Sequence, residues 1–105
     1  MQASLLDFIK PLGLDEARRV LSIVEDRGYA VVAGRGFATL IDGEEANVPY
    51  ELLEEQLLKL IRDLGGELRV KERFSDHDVT LENERFIIRI NRKRTLNPWL
   101  YVKRK

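Results

Sequence analysis

The clearest pattern along the chain is an amphipathic stretch that begins near Tyr50 and ends at two glycines, Gly65 and Gly66. Its apolar residues recur at the spacing of one helical face, and charged residues lie between them. These apolar residues are Leu53, Leu57, Leu60, Ile61 and Leu64. Pro49 suits the first helical position because its missing N–H needs no partner there, and a glycine can close the helix. The pattern predicts a helix with one apolar face that leads directly into a strand at 67–71.

A shorter helix is predicted upstream, where Gly28 would stop it. The residues that share its apolar face are Ala17, Val20, Leu21 and Val24. Segments 29–33 and 37–41 have strand composition and are joined by a glycine-flanked turn at 34–36, which predicts a β-hairpin. The acidic segment 44–48 is predicted to be a loop.

The last third of the chain alternates apolar and polar residues, which is typical of strands. Segments 79–82 and 85–92 flank a turn near 83–84 and predict a second hairpin, after a polar loop at 72–77. In the returning strand, one side is predicted to carry Phe86, Ile88 and Ile90. A final strand is predicted at 99–103, after the Asn97-Pro98 turn signal.

These elements predict an α+β fold. We expect an antiparallel sheet of hairpins with two amphipathic helices on one face, in the order αββ-αββ-β, preceded by a short N-terminal helix or turn. A chain of 105 residues with 44% hydrophobic and 34% charged residues is long enough for one core, so a single domain is predicted over 1–105.

Composition narrows the functional classes. There is no apolar run near 18 residues and no basic-then-apolar leader, so we expect a cytoplasmic protein without a membrane span. The absence of cysteine removes disulfides and thiolate metal sites. Arginine outnumbers lysine, twelve to six, which would suit a thermophile.

The neutral net charge conceals a segregation of charge. Residues 84–105 contain eight basic side chains and one acid, a net charge of +7, so residues 1–83 carry −7. A basic end on an acidic body favours polyanionic partners, although the two parts can also neutralise each other within the fold.

The amino end reads Gln-Ala-Ser-Leu-Leu-Asp-Phe-Ile over residues 2–9. It resembles the sliding-clamp (PCNA)-interacting box of archaeal and eukaryotic replication proteins, whose pattern is Gln, an aliphatic residue and two aromatic residues. Gln2, Leu5 and Phe8 stand at matching positions, and Ile9 stands where the second aromatic is usual. The resemblance implies an apolar plug that enters a clamp. The alternative is a short helix at 1–12 whose apolar residues pack under the sheet.

The carboxyl end combines cations with aromatic residues. Cations can neutralise phosphates, and aromatic rings can stack on bases, at about 1–3 kcal/mol per base. The predicted contacts to DNA or RNA are Arg35, Arg89, Arg92, Lys93, Arg94, Trp99, Tyr101, Lys103, Arg104 and Lys105. Either Trp99 with Tyr101 or Leu100 with Val102 must face the core. The alternative to nucleic-acid binding is that one of these pairs packs in the core and the terminal lysines are only a solvated tail.

Catalytic signals are weak, and no catalytic residue, metal or cofactor is predicted. The single histidine lies between carboxylates in Ser75-Asp76-His77-Asp78, which a polar loop explains better than a metal site. Segment 17–32 looks like the opening of archaeal Holliday-junction resolvases. Those nucleases need a Glu-x-Lys strand, whereas 67–71 reads Glu-Leu-Arg-Val-Lys, so a metal-dependent nuclease is a minor alternative.

The sequence therefore predicts a non-enzymatic accessory protein of DNA replication or repair. It would bind nucleic acid through its basic C-terminal region and a sliding clamp through its amino end. The alternative is a protein–protein interaction module, or a subunit, with no role in nucleic-acid binding.

Overall fold

The computed structural model describes residues 11–34, 37–40, 45–92 and 98–105. Two helices and seven strands lie in these ranges. In chain order they are α1 (Leu14–Arg27), β1 (Tyr29–Ala33), β2 (Phe37–Leu40), β3 (Glu45–Pro49), α2 (Tyr50–Gly65), β4 (Arg69–Ser75), β5 (Asp78–Glu82), β6 (Phe86–Asn91) and β7 (Trp99–Arg104). The predicted α+β fold, an antiparallel sheet with two helices, is confirmed.

Two predicted loops are strands in the structure. The acidic segment 44–48 is mostly β3, which pairs with β2, and the polar segment 72–77 belongs largely to β4. Polar composition misled both predictions, because β3 and β4 lie at the two edges of the sheet, where a strand can remain solvated. In the described part of the chain, three strands therefore follow α1 and four follow α2.

The strands form one antiparallel sheet in the order β3-β2-β1-β7-β6-β5-β4. The last strand is thus at the centre, between β1 and β6. Its register sets Tyr101 opposite Val31 on one side and opposite Arg89 on the other. The basic carboxyl end is consequently a central element of the fold rather than an appendage.

Helix α1 follows its prediction closely. The four apolar residues of the predicted face, Ala17, Val20, Leu21 and Val24, are all buried. Gly28 ends the helix in the left-handed conformation, with φ 95°, and its N–H donates to the carbonyl of Val24. A side chain at that position would be strained, which explains the glycine stop.

Helix α2 begins at Tyr50, with Pro49 as its N-cap rather than its first residue. Leu53, Leu57 and Ile61 are fully buried as predicted, but Leu64 is 47% exposed. The helical period places Leu64 within about 20° of the buried Leu57, but Leu64 lies in the last turn of α2, where it remains exposed although the adjacent Gly65 is buried. Leu64 is therefore wrongly assigned to the core.

Asn83 joins the end of α2 to the turn between β5 and β6. Its fully buried side chain donates to the carbonyls of Ile61 (2.9 Å) and Gly66 (3.0 Å). Its Oδ1 accepts from the N–H groups of Arg85 (3.0 Å) and Phe86 (2.9 Å). Gly65 leaves room for this amide, because a Cβ there would lie 2.5 Å from Asn83 Oδ1.

Alternate residues of the central strands point to opposite sides of the sheet. The side toward the helices is buried and includes Phe86, Ile88, Leu100 and Val102. This confirms the predicted inward set of β6 and decides the alternatives for β7. Trp99 and Tyr101 lie on the opposite side, hereafter the open face, on which no helix of the described residues packs.

Candidate nucleic-acid interface

The open face is built by cross-strand neighbours of the four strands β1, β7, β6 and β5. One row of partners runs Val31, Tyr101, Arg89 and Thr80, and the next runs Tyr29, Lys103, Ile87 and Glu82. A shallow depression of about 440 Å³ lies along the first row. Its lining residues are Val31, Thr80, Ile87, Arg89, Trp99 and Tyr101. The centre of the sheet therefore offers solvent an apolar and aromatic floor.

Tyr101, which lines the depression, forms a stacked pair with Tyr29 of β1. Tyr29 and Tyr101 stack with ring centroids 5.8 Å apart and an interplanar angle of 28°. Tyr29 is 42% exposed, and Tyr101 is half-buried. Because each ring supports the other, their accessible faces are held ready for a planar ligand without a large loss of side-chain freedom.

Arg89 also lines the depression. Its guanidinium carbon lies 4.2 Å from the ring centroid of Phe74 and 5.5 Å from that of Trp99. The same group donates two hydrogen bonds to Asp78, at 3.0 and 2.8 Å. Hydrogen bonding to Asp78 raises the pKa of Arg89, while desolvation opposes that shift. Arg89 is thus a cation with a fixed plane that positions two aromatic rings.

A cluster of cations lies at one end of the open face, around Glu82. Glu82 is within 3.4 Å of Arg69, 3.9 Å of Lys71 and 3.4 Å of Lys105. Desolvation, the largest single influence, would raise the pKa of Glu82, but these three cations together lower it. Lys103, the cross-strand partner of Ile87 in the same row, adds a further exposed cation. We call Arg69, Lys71, Lys103 and Lys105 the cationic cluster.

Two predicted contact residues lie outside the open face. Arg92 follows β6 and donates to Glu54 of α2, with 3.0 Å between its Nε and Oε1. Hydrogen bonding to Glu54 raises the pKa of Arg92, while desolvation opposes that shift. Burial raises the pKa of the neighbouring Tyr50. Arg104 is two residues beyond the buried Val102 on β7, so it lies on the helix side of the sheet. Its backbone N–H donates to the carbonyl of Gly28.

The other candidate residues fall outside the described ranges. They are the clamp-binding residues Gln2, Leu5, Phe8 and Ile9, together with Arg35, Lys93 and Arg94 of the predicted nucleic-acid contacts. Of the predicted contacts, the structure brings together Arg89, Trp99, Tyr101, Lys103 and Lys105 on or beside the open face.

The sequence prediction did not include Tyr29, Phe74, Arg69 and Lys71 in the site. Tyr29 had a usable signal, because it alternates with the apolar residues Ala30 and Val32 of β1. Phe74 and Lys71 had none, since β4 carries irregularities in its pairing between Val70 and Glu72 and between Arg73 and Ser75. Such bulges change which face a side chain occupies.

The segment around the single histidine forms a turn at 76–77 between β4 and β5, in agreement with the favoured loop interpretation. The N–H of His77 donates to Ser75 Oγ at 3.2 Å, and Asp78 holds Arg89. Within the described ranges, no group of three or more His, Cys, Asp and Glu side chains is arranged to hold a metal ion.

No family model, curated protein or solved structure matches this chain. Among the helices in the described ranges, neither is long and apolar enough to cross a membrane. What the site can bind must therefore follow from the chemistry of the open face itself.

Proposed function

We propose that this protein is a non-enzymatic binding protein for single-stranded nucleic acid, and that the open face is its binding surface. The observation that supports the proposal most directly is the set of three rings near the centre of the sheet, the exposed Tyr29 and the half-buried Trp99 and Tyr101, with cations beside them. Antiparallel sheets with exposed aromatic rings are a common platform for unpaired bases.

The spacing of the rings favours a single strand over a duplex. Trp99 and Tyr101 are two residues apart on β7, so their attachment points are about 7 Å apart along the strand. Consecutive bases in a duplex strand are only about 3.4 Å apart along the helix axis. Bases that stack on both rings must therefore be unstacked from each other, which an unpaired strand permits at little cost.

The charges on this surface also favour a polyanion. Lys103 continues β7 beyond Tyr101, and the cationic cluster gathers at the same end of the sheet. Arg92, in contrast, binds Glu54 on the helix side, so its charge contributes chiefly to the fold. We therefore assign the nucleic-acid contacts to the open face rather than to the whole basic C-terminal region.

A titration of a labelled single-stranded oligonucleotide, at two salt concentrations, tests this proposal. We expect weaker binding at the higher salt concentration, as phosphate contacts require. Trp99→Ala and Tyr101→Ala should each weaken binding by about 1–3 kcal/mol, the usual contribution of one stacked base. No association of the wild-type protein at low salt would refute the proposal.

A matched pair of charge reversals separates the open face from the helix side. Lys103→Glu places a negative charge beside the rings, whereas Lys59→Glu makes the same charge reversal at an exposed position of α2. Only the first should weaken oligonucleotide binding strongly. Equal effects of the two substitutions would show that binding depends on net charge alone and not on this surface.

A role in DNA replication or repair depends on the amino-end motif, which we propose as a sliding-clamp ligand. The supporting observation is the match of Gln2, Leu5 and Phe8 to the PCNA-interacting pattern, with Ile9 at the second aromatic position. A pull-down with a purified clamp should lose the protein on Leu5→Ala/Phe8→Ala while thermal unfolding stays unchanged. A double variant that unfolds more easily would favour packing in the core instead.

The alternative function, a protein–protein interaction module, is favoured by one edge of the sheet. Strand β4 lies at that edge and leaves Val70 53% exposed and Phe74 48% exposed. Its charged residues and bulges, however, are devices that discourage strand pairing. Failure of every oligonucleotide to bind would make this alternative the leading one.

A further inference from the structure

We propose that the cationic cluster is a phosphate-binding subsite, and that Glu82 holds its cations together while it limits their affinity for phosphate. This inference rests on the proposed function, since it names which part of the open face receives the backbone of the bound strand. The ligand is the phosphodiester backbone of a single-stranded nucleic acid.

The first step is the convergence of three cationic head groups on one carboxylate. Oε1 of Glu82 lies 3.4 Å from a guanidinium nitrogen of Arg69, and Oε2 lies 3.9 Å from Lys71 Nζ and 3.4 Å from Lys105 Nζ. The side chains of Arg69, Lys71 and Lys105 remain 56%, 50% and 34% exposed. These head groups are therefore gathered but still open to a ligand.

The second step is the balance of charge. Arg69 also lies 4.0 Å from the exposed Glu84, so two carboxylates lie among the three cations gathered at Glu82, and Lys103 adds a fourth cation two strands away. Two positive charges are left in excess, although Glu82 keeps the mutual repulsion of the cations small. An exposed cluster with such an excess attracts phosphate oxygens, and a neutral residue in place of Glu82 would increase that attraction.

The third step is the position of the cluster relative to the rings. Strand register places Arg69 opposite Glu82, Glu82 opposite Ile87, and Ile87 opposite Lys103. Lys103 is two residues beyond Tyr101 on β7, or about 7 Å along the strand. A strand whose bases lie on Trp99 and Tyr101 can therefore place a following phosphate at the cluster.

The salt dependence of oligonucleotide binding tests this assignment, because each phosphate contact on a single strand contributes about 0.7 to the slope of log K against log salt. Lys71→Ala and Lys105→Ala should each reduce the slope by up to about 0.7, with Lys59→Ala on α2 as the matched control. Trp99→Ala should weaken binding with little change of slope. Circular dichroism and thermal unfolding establish that each variant is folded.

Glu82→Gln should change oligonucleotide affinity in the opposite direction from the lysine substitutions. We expect it to tighten binding several-fold at low salt, whereas Glu55→Gln on exposed α2 should not. The increase should disappear at high salt, where charge interactions are screened.

The outcomes separate this inference from the proposed function. If the wild-type protein binds the oligonucleotide but the lysine variants and Glu82→Gln leave affinity and slope unchanged, the subsite is refuted while the proposed function stands. If the wild-type protein binds no oligonucleotide at low salt, the proposed function fails and the subsite fails with it.

Discussion

Both faces of the central strands carry large apolar or aromatic side chains, but the two faces differ in how completely these side chains are buried. On β7, Leu100 and Val102 are fully buried under the helices, while Trp99 and Tyr101 remain half-buried on the open face. The helix side completes its burial within the chain, so its side chains stabilise the fold. The open face leaves large rings partly in water, which costs stability that a binding surface can recover from a ligand.

Two arginine–carboxylate pairs sharpen the contrast. Arg92 binds Glu54 on the helix side, and Arg89 binds Asp78 on the open face. In both pairs the carboxylate side chain is nearly buried, 5% and 6% exposed, and the arginine is 59% and 41% exposed. One pair fastens α2 to the end of β6, whereas the other holds Phe74 and Trp99 around a guanidinium.

The largest expected effect separates neighbouring residues of one strand. Leu100→Ala should lower the free energy of unfolding by about 2–5 kcal/mol, because it opens a cavity in the core. Tyr101→Ala should lower it by about 1 kcal/mol, since it removes mainly one aromatic pair. Urea denaturation measures both values. Similar losses for the two variants would mean that the open face is part of the core.

The arginine pairs should differ in binding rather than in stability. Arg92→Met and Arg89→Met each remove the arginine partner of a nearly buried carboxylate, so each should lower the free energy of unfolding.

Oligonucleotide affinity distinguishes the two variants. Arg89→Met should also weaken binding because Trp99 loses its support, while Arg92→Met should have a smaller effect. Glu54→Gln/Arg92→Met should recover part of the lost stability, because no buried charge then remains unpaired. A stronger loss of binding in Arg92→Met would contradict the division between the faces.

A smaller loss of stability is expected at the turn that joins helix and sheet. Asn83→Ala leaves two carbonyl groups and two N–H groups without the side chain that binds them, at a cost of about 2 kcal/mol. Hydrogen exchange should show faster opening at the end of α2 than at the centre of β7. Uniform acceleration across the sheet would show that the turn does not act locally.

The smallest effect concerns the pH dependence of stability. Because the folded-state pKa of Glu82 lies below its usual 4.5, its ionised form stabilises the fold above that value. The contribution is lost as pH falls through the folded pKa. Melting temperatures of wild type and Glu82→Gln should therefore differ near neutral pH and converge once the pH falls below the folded-state pKa of Glu82. A constant difference would exclude the carboxylate as the cause.

Much of the fold could be predicted from periodicity. The alternation of β6 identified Phe86, Ile88 and Ile90 as inward residues, and the period of α1 identified its buried face. The edge strand β3 was not predicted, and β4 was predicted only in part, as a strand at 67–71, because a strand that packs on few neighbours needs few apolar residues. Leu64 was misplaced because helical period gives the face of a residue but not its burial, and Leu64 lies exposed in the last turn of α2.

The candidate site was only partly predictable. Trp99, Tyr101 and Lys103 stand close together in the chain, so their shared presence in one strand was visible from residue types. Tyr29, Phe74 and Arg69 come from distant strands, and no local pattern connects them to β7. Their contribution follows from pairing across the sheet and from the bulges of β4.

Helix period and strand alternation arise from interactions among near neighbours in the chain. Both patterns can therefore be read directly from the sequence. Neighbour order in the sheet depends instead on which distant segments bury the most apolar surface together. That choice inserts β7 between β1 and β6, turns Arg92 toward Glu54, and gathers Arg69, Lys71 and Lys105 around Glu82. Tertiary pairing therefore determines which carboxylate each of these cations faces and how far each remains exposed.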